Sequence, residues 1–197
     1  AVIKSSLKAK GITDEAAIAS AATWYKGVNG IVQNVGAFFG MLAFSILTQR
    51  IGRKTAFIIA FIGALISTNA YYILFSGVGD IWMSFFMGFF QLALFAGFAI
   101  YLPELFPIRL RSTGTSFCYN VGRFIAATGP FTFGVLQKYL GDRAIASLPE
   151  TADAAAKAAA RLTAFRHATS WLTLVFVLGI IVVFFLPETK GQPLPED

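Results

Sequence analysis

Apolar and polar positions alternate along this chain in long blocks. Five mostly apolar runs are long enough to cross a bilayer, whose hydrocarbon core of about 30 Å needs about 20 such residues in a helix. They predict membrane spans within residues 27–187, at about 28–47, 56–75, 81–102, 112–136 and 164–186. The predicted fold class is therefore all-α, a polytopic membrane helix bundle.

The polar segments between the runs predict the side of the membrane on which each loop lies. The turn at 48–55 carries three positive charges, whereas the loop at 76–80 carries only a negative one. Because cytoplasmic loops are rich in Lys and Arg, 48–55 is predicted to be cytoplasmic and 76–80 to be outside. Residues 1–26 and the Ala-rich segment 138–163 are then extracytoplasmic loops, and 188–197 is a cytoplasmic tail.

One feature of the charge distribution opposes this orientation. The two long segments assigned to the outside hold more Lys and Arg than the segments assigned to the cytoplasm. Short loops decide the orientation, because long loops cross the membrane with less regard to charge.

Small and polar residues recur at helical spacing inside three of the runs. In the first run, Gly36 and Gly40 form a small-xxx-small pair that lets another helix approach closely, so this face is either a packing surface or part of a site. Gly129-Pro130 predicts a kink in the fourth run. The remaining polar or small members of these faces are Asn29, Gln33, Ser84, Gly88, Gln91, Thr113, Ser116, Asn120 and Arg123.

Composition agrees with a membrane protein and excludes other classes. Apolar residues make up 56% of the chain and charged residues 13%, with 21 phenylalanines. The net charge of +6 sits in short clusters between apolar runs, which does not favour nucleic acid as a partner. The single cysteine, Cys118, and the single histidine, His167, predict neither a metal site nor a cofactor, and no catalytic constellation is visible.

Three charged motifs follow three of the spans. The first is Gln49-Arg50-Ile51-Gly52-Arg53-Lys54, the second is Pro103-Glu104-Leu105-Phe106-Pro107-Ile108-Arg109-Leu110-Arg111, and the third is Pro187-Glu188-Thr189-Lys190-Gly191. The first resembles the Asp-Arg-x-Gly-Arg-Arg turn of the major facilitator superfamily. The second and third resemble the Pro-Glu-x-Phe-Pro-x-Arg-x-Arg and Pro-Glu-Thr-Lys-Gly motifs of its sugar-porter and organic-acid symporter branches.

The resemblance implies where the chain lies in that fold. Twelve helices form two halves there, and the last motif follows helix twelve, so this chain would hold helices eight to twelve, a partial carboxy-terminal half whose partner is the missing amino-terminal half. Residues 1–26 would be the outer loop after helix seven. Gln49 departs from the family's usual Asp, so a carboxylate partner for the arginines must come from elsewhere. The stretch 117–123 is similar to the sialic-acid and aromatic-acid proton symporters.

The resemblance also implies an ion-pair network that holds the cytoplasmic side closed. The preferred pairs are Glu104 with Arg53, and Glu188 with Arg109 or Arg111. The alternative is that these charges only set the topology and remain solvated. In that case each exposed ion pair contributes about 0–1 kcal/mol to stability. The predicted gate residues are Arg50, Gly52, Arg53, Lys54, Glu104, Arg109, Arg111 and Glu188.

Arg123 carries the substrate prediction. It lies about 16 Å along a helix that starts at Ser112, near the middle of the bilayer, where an arginine normally faces a cavity or a partner. It either binds a substrate carboxylate, whose two oxygens a guanidinium matches, or pairs with a carboxylate in the missing half. The predicted substrate-binding residues, each of which could instead be interhelical glue, are Arg123, Asn120, Tyr119, Gln91, Gln33 and Asn34.

The predicted function is secondary transport of a small solute, and not an enzymatic reaction. No Walker-type loop is present, so ATP does not drive it on this chain. Proton symport of an organic anion or a sugar in the bacterial inner membrane is favoured. All ten acidic residues lie outside the five runs, so a proton site is expected in the missing half. The alternatives are uniport of a neutral sugar and a non-transporting sensor or scaffold.

Overall fold

The computed structural model describes residues 2–9, 11, 13–149, 151–193 and 195, and this part of the chain is helical without β-strands. It divides into two compact units, Ala1–Tyr101 with Phe176–Pro193, and Leu102–Val175 with Leu194–Asp197. A single-turn 3-10 helix lies at Val78–Asp80. The α-helices are α1 (Val2–Ala9), α2 (Glu15–Ile51), α3 (Arg53–Leu74), α4 (Met83–Glu104), α5 (Arg111–Ala146), α6 (Ala154–Leu172) and α7 (Leu174–Phe185).

Two segments predicted as loops are largely helical. Within 1–26, the described residues form α1 and the start of α2, and within 138–163 they form the end of α5 and the start of α6. Asp14 accepts the backbone N–H groups of Ala16 and Ala17 at 3.2 Å, and Asp153 caps α6 in the same way. Alanine-rich sequence with a good N-cap favours helix whether or not it is apolar enough for a membrane, so hydropathy underestimates these helices.

Four helical segments are long and apolar enough to cross a membrane in the described part of the chain. They are Glu15–Ile51, Arg53–Leu74, Met83–Glu104 and Ala154–Phe185, which joins α6 to α7. Helix α5 is not among them, because Arg123 and the polar residues of its stripe lower its hydropathy. The crossing at 112–136 thus stays a prediction. Pro130 lies inside α5 without ending it.

Glycines bring α2 and α4 of the first unit into backbone contact. A Cβ atom built on Gly36 or Gly40 would overlap the backbone of Phe85 or Phe89, and one on Gly88 would overlap the carbonyl oxygen of Gln33. The close approach predicted for Gly36 and Gly40 is therefore confirmed. Small residues allow it because lipid tails supply no hydrophobic force between helices, so packing must supply the attraction.

Aromatic rings fill the rest of the first unit. Phe57 of α3 is 3% exposed and meets Phe44 of α2 edge-on, with 5.2 Å between ring centroids. It also meets Tyr101 of α4 at 5.8 Å, and the neighbouring Phe61 reaches Phe176 of α7 at 6.5 Å. Such pairs add about 0.5–1.5 kcal/mol each beyond their buried area. Helix α3 is thereby joined to α2, α4 and α7.

The second unit is built on the packing of α5 against α6. Phe133 meets Phe165 edge-on at 5.5 Å, and Ala164 and Ala168 of α6 are buried. Outside this contact α5 is widely exposed, with Phe124 at 80%. Lipid or further protein can cover such a surface, whereas water could do so only at high cost.

Candidate functional site

Glu188 lies just beyond α7 and binds the first turn of α3 in the first unit. Its Oε1 accepts the backbone N–H of Arg53 at 2.8 Å, and its Oε2 accepts that of Lys54 at 3.0 Å. The first N–H groups of a helix have no partner inside the helix, and they carry the positive end of the helix dipole. A carboxylate that lies 135 residues further along the chain than Arg53 therefore caps α3.

The carboxylate is stabilised in its charged form. Partial burial by itself raises the pKa of Glu188, but backbone N–H groups of Arg53, Lys190, Lys54 and Thr189 outweigh burial and hold the pKa below its usual range. The Lys190 N–H lies 3.0 Å from Oε1. Glu188 is thus an anion held by backbone groups, and its binding does not depend on a flexible basic side chain.

Gly52 makes room for this carboxylate. It is the one residue between α2 and α3, and its φ of 93° lies in the region that favours glycine. A Cβ atom there would come within 2.8 Å of Oε2 of Glu188. Glycine is therefore required at this position for its backbone conformation and for the approach of Glu188.

Basic side chains around Glu188 bind carbonyl groups at helix ends. Arg53 Nη1 donates to the carbonyl of Thr48 at 3.0 Å, and Lys54 Nζ donates to that of Phe184 at 3.0 Å. Lys190 Nζ donates to the carbonyl of Arg50. Each cation thus lies at the negative end of α2 or α7, where a positive charge is stabilising.

Tyr101 adds a further tie to the segment that carries Glu188. This residue of α4 is 3% exposed, and its hydroxyl donates to the carbonyl of Pro187 at 2.6 Å. Helices α2, α3, α4 and α7 of the first unit are in this way joined at one point. We call this group the Glu188 cluster; its residues are Gly52, Arg53, Lys54, Tyr101, Pro187, Glu188 and Lys190.

The predicted gate residues are divided between the two units. Arg50, Gly52, Arg53, Lys54 and Glu188 come together in the first unit, whereas Glu104, Arg109 and Arg111 belong to the second. The pairs Glu104–Arg53 and Glu188 with Arg109 or Arg111 join residues of different units and stay predictions. The contacts of Glu188 with backbone N–H groups were not anticipated from the sequence.

In the second unit, only some of the hydrogen-bond donors of Arg111 have an acceptor among the described residues. Its Nε donates to the carbonyl of Phe106 at 3.4 Å, while its Nη2 is buried without a hydrogen-bond partner in the described part of the chain. The hydroxyl oxygen of Thr115, one turn further along α5, is in the same state. Arg109 is exposed. A buried donor without an acceptor is unfavourable, so Arg111 retains the capacity to bind a carboxylate.

The predicted substrate residues of the first unit have local partners. Gln91 of α4 donates to the hydroxyl of Thr68 on α3 at 3.0 Å, which links two helices. Asn34 donates to the carbonyl of Gly30 in its own helix at 2.8 Å. Gln33 packs against Gly88. These contacts match the interhelical and local roles that were the alternative to substrate binding.

The predicted substrate residues of the second unit lie on one stretch of α5. The guanidinium of Arg123 lies 5.0 Å from the ring centroid of Tyr119, one helical turn earlier, in a cation–π contact. Asn120 donates to the carbonyl of Ser116 at 2.8 Å. Arg123 is exposed on this stretch. Since the six predicted residues belong to both units, a site shared by all of them stays a prediction.

Sequence reasoning missed Tyr101 and Pro187. A tyrosine at the polar end of an apolar run is a signal that a hydrogen-bond partner exists, because a buried tyrosine hydroxyl normally finds one. That this partner would be a carbonyl in another motif was visible only after folding. The prediction of Gly52 as a gate residue had no structural reason until its φ and its distance to Glu188 were known.

Comparison with known proteins assigns the chain to a family. The family model described as "Sugar (and other) transporter" matches residues 29–196. A protein of Cupriavidus pinatubonensis described as a probable 4-methylmuconolactone transporter is 33% identical over 115 residues, which is 58% of this chain and 27% of that relative. A protein of Haemophilus influenzae described as a metabolite transport protein is 26% identical over 161 residues, 81% of this chain and 34% of the relative.

The extent of these matches matters for what they imply. The chain spans about a third or less of the length of these two curated relatives. The family match nevertheless covers most of the chain and includes all three charged motifs. The chain belongs to the sugar (and other) transporter family of the major facilitator superfamily and is a multi-pass membrane protein.

Proposed function

We propose that this chain forms helices eight to twelve of a secondary transporter that moves a small organic anion or a sugar together with protons. Two helix bundles would alternate in opening a central site to each side of the bacterial inner membrane. The observation that carries the proposal is the family match over residues 29–196. The amino-terminal half would supply the other bundle and the carboxylate that takes up the proton.

An organic anion is favoured over a neutral sugar as the substrate. Arg123 offers a guanidinium near the middle of the predicted span 112–136, and its planar donors match the two oxygens of a carboxylate. Its contact with the Tyr119 ring orients the side chain and leaves donors available. The name of the Cupriavidus relative, a 4-methylmuconolactone transporter, agrees with a small metabolite as cargo.

Arg123→Ala tests the substrate role. We expect the KM for a carboxylated substrate to rise at least about tenfold, because one charged hydrogen-bonding pair contributes about 1.5–3 kcal/mol. Arg143→Ala is a matched control, since Arg143 makes the same contact with a tyrosine one turn earlier, Tyr139, at the far end of α5. Normal affinity in Arg123→Ala would assign Arg123 to a structural pair with another carboxylate.

The Glu188 cluster supports a gate on the predicted cytoplasmic side. It joins four helices of the first unit around the segment that carries Glu188, while Nη2 of Arg111 in the second unit is a buried donor without an acceptor in the described part of the chain. The gate would close when carboxylates such as Glu104 pair with the arginines, and it would open when those pairs part. Glu104→Gln should change the uptake rate or the balance of inward- and outward-facing states. Unchanged uptake would favour a purely topogenic role for these charges.

Uptake into proteoliposomes by the complete transporter tests the function itself. A pH gradient should drive accumulation of a carboxylated substrate above its outside concentration. Equilibration that ignores the gradient would support the alternative of uniport. No uptake of sugars or carboxylates under either condition would support a sensor or scaffold that keeps the fold.

A further inference from the structure

A cavity of about 390 Å³ lies between α5 and α6 in the second unit, far along α5 from Arg123. Five of its lining residues come from the last four turns of α5, and Arg161 comes from α6. The lining residues are Gly134, Gln137, Lys138, Gly141, Asp142 and Arg161. None of them belongs to the predicted substrate or gate residues.

Two glycines, one heptad apart, leave the space for this cavity. Gly141 is buried, and yet a Cβ atom built there meets no atom within 4 Å. The same is true of a Cβ atom on Gly134. A position that is covered but borders open space is the floor of a cavity. This differs from Gly36 and Gly40 of α2, where the backbone of α4 occupies the space next to the glycine.

The charges around the cavity favour an anion. Lys138 and Arg161 bring two positive charges and Gln137 brings an amide donor, against the single carboxylate of Asp142. In the described part of the chain, Asp142 forms no ion pair within 4 Å with either cation. The two cations therefore keep their donors for a guest, and a guanidinium beside an ammonium suits a carboxylate or phosphate group.

The cavity lies on the same face of α5 as Arg123. At about 100° per residue, Gly134 and Gly141 fall within about 20° of Arg123 around the helix. Lys138 lies about 22 Å from Arg123 along the axis, at about 1.5 Å per residue. A solute that follows this face would meet the cavity and Arg123 in sequence.

We propose that this cavity is a second anion-binding site, in which Lys138 and Arg161 hold the oxyanion of a small solute at one end of α5 before or after it reaches Arg123. The substrate class rests on the proposed function, whereas the site itself does not. The same chemistry would also accept the phosphate of an anionic lipid, which is the other source of such a group.

A charge-selective labelling experiment tests the site without any transport. In the complete protein, Cys118 and any cysteine outside this chain are replaced by serine, and Gln137→Cys provides a thiol in the cavity wall. Methanethiosulfonate reagents that carry either a sulfonate or a trimethylammonium group then react with it. When each rate is divided by the rate of the same reagent with a free thiol in solution, we expect the anionic reagent to react about tenfold faster at low salt, because clefts with one sign of charge concentrate counter-ions.

A double variant of the cavity and a single control variant separate this site from general surface charge. Lys138→Gln with Arg161→Gln should remove most of the preference for the anionic reagent. Lys157→Gln, which removes an exposed charge one turn from Arg161 on α6 and outside the cavity, should leave it unchanged. An equal preference in all three proteins would overturn the proposal.

Protection from labelling identifies the source of the guest. Millimolar benzoate should slow the reaction in phosphatidylcholine vesicles, while phosphatidylglycerol without benzoate should not. Protection by phosphatidylglycerol alone would overturn the assignment to a solute, and protection by neither would overturn the binding site. If the complete protein shows gradient-driven uptake but Gln137→Cys shows no preference for the anionic reagent, the anion site is wrong and the transport function stands. If the labelling is as expected but no uptake occurs, the transport function is wrong and the anion site stands.

Discussion

The two longest helices of the chain differ in whether another helix packs against their glycines. Helix α2 has 37 residues and α5 has 36, and both carry several glycines. In α2, Gly36 and Gly40 lie against the backbone of α4, and seven residues of the helix are buried. In α5, Gly114 lies against the ring of Phe106, whereas the glycines at 122, 129, 134 and 141 border open space, and only Gly141 is buried. Glycines four residues apart in α2 therefore form a tight interface with another helix, whereas Gly27 and Gly30 of α2 and most glycines of α5 lie on open surface.

This difference separates stability from function. The face of α2 that carries Gly36 and Gly40 makes contacts that tolerate no additional atom, so substitutions there should mainly change stability. Helix α5 presents Arg123 and an anion-sized cavity on a surface that little else constrains, so substitutions there should mainly change transport. Sites that bind a moving solute need such unfilled surface.

The largest effect is expected when a methyl group is added to the α2–α4 interface. Gly40→Ala should lower the free energy of unfolding by about 1–3 kcal/mol, because the new Cβ atom overlaps the backbone of Phe89 and the helices must separate. Gly122→Ala in α5, where an added Cβ atom meets nothing within 4 Å, should instead raise it by up to about 1 kcal/mol through better helix propensity. Thermal unfolding in detergent measures both.

Gly30→Ala is the control within α2, because a Cβ atom there meets nothing within 4 Å. Like the α5 variant, it should raise the free energy of unfolding slightly. If Gly40→Ala and Gly30→Ala unfold at the same temperature, the contrast between the two helices does not depend on backbone contact.

A loss of similar size is expected at the Glu188 cluster. Gly52→Ala should cost about 1–3 kcal/mol, because the φ of 93° and ψ of 166° at this position lie in a region essentially confined to glycine and because the new Cβ atom displaces Glu188 from the first turn of α3. Gly191→Ala has a positive φ as well, 71°, but no atom lies near its added Cβ. The difference between the unfolding temperatures of the two variants measures the carboxylate contact. Equal temperatures would show that Glu188 contributes nothing.

The pH dependence of stability tests the same carboxylate. The pKa of Glu188 is lower in the folded protein than in the unfolded chain, so its contribution is complete at neutral pH and is lost as the pH falls below about 4. Glu188→Gln should cost about 1 kcal/mol at neutral pH and flatten the acid limb of the unfolding curve. Glu15→Gln, at an exposed carboxylate that pairs with Lys8, is the charge-matched control. An acid limb that Glu188→Gln leaves unchanged would contradict the pKa shift.

The smallest effect concerns Gln91. If its bond to Thr68 is interhelical glue, Gln91→Leu and Thr68→Val should each cost about 0.6 kcal/mol, and the double variant should cost little more than either one. Thr68→Val also serves as the control for substrate binding. A loss of substrate affinity in Gln91→Leu, but not in Thr68→Val, would assign Gln91 to the substrate site.

Several parts of this account could be predicted from residues alone. The all-α membrane class followed from the length and spacing of apolar runs, and the approach of another helix to Gly36 and Gly40 followed from their spacing. The extent of the helices could not be predicted in the same way. Alanine-rich segments with aspartate caps are polar enough to resemble loops in a hydropathy profile, although their backbone favours helix.

The sequence also predicted only part of the candidate site: its residues, but not their partners. Charge, spacing and the family motifs selected Gly52, Arg53, Lys54 and Glu188 from the sequence. They predicted pairing between side chains, whereas in the structure the partners of Glu188 are the backbone N–H groups of α3. Every helix start has such groups, so no residue type marks the one that will bind a distant carboxylate.

The sequence by itself determined that this is a helical membrane protein and to which family it belongs, because these properties depend on composition, periodicity and short motifs. The tertiary structure alone decided which glycines are filled and which are open, and which carbonyl or N–H each polar side chain meets. These depend on atoms that are far apart in the chain, as Gly52 and Glu188 are. Only in the folded protein does Gly52 lie beside Glu188 and leave room for its carboxylate at the first turn of α3.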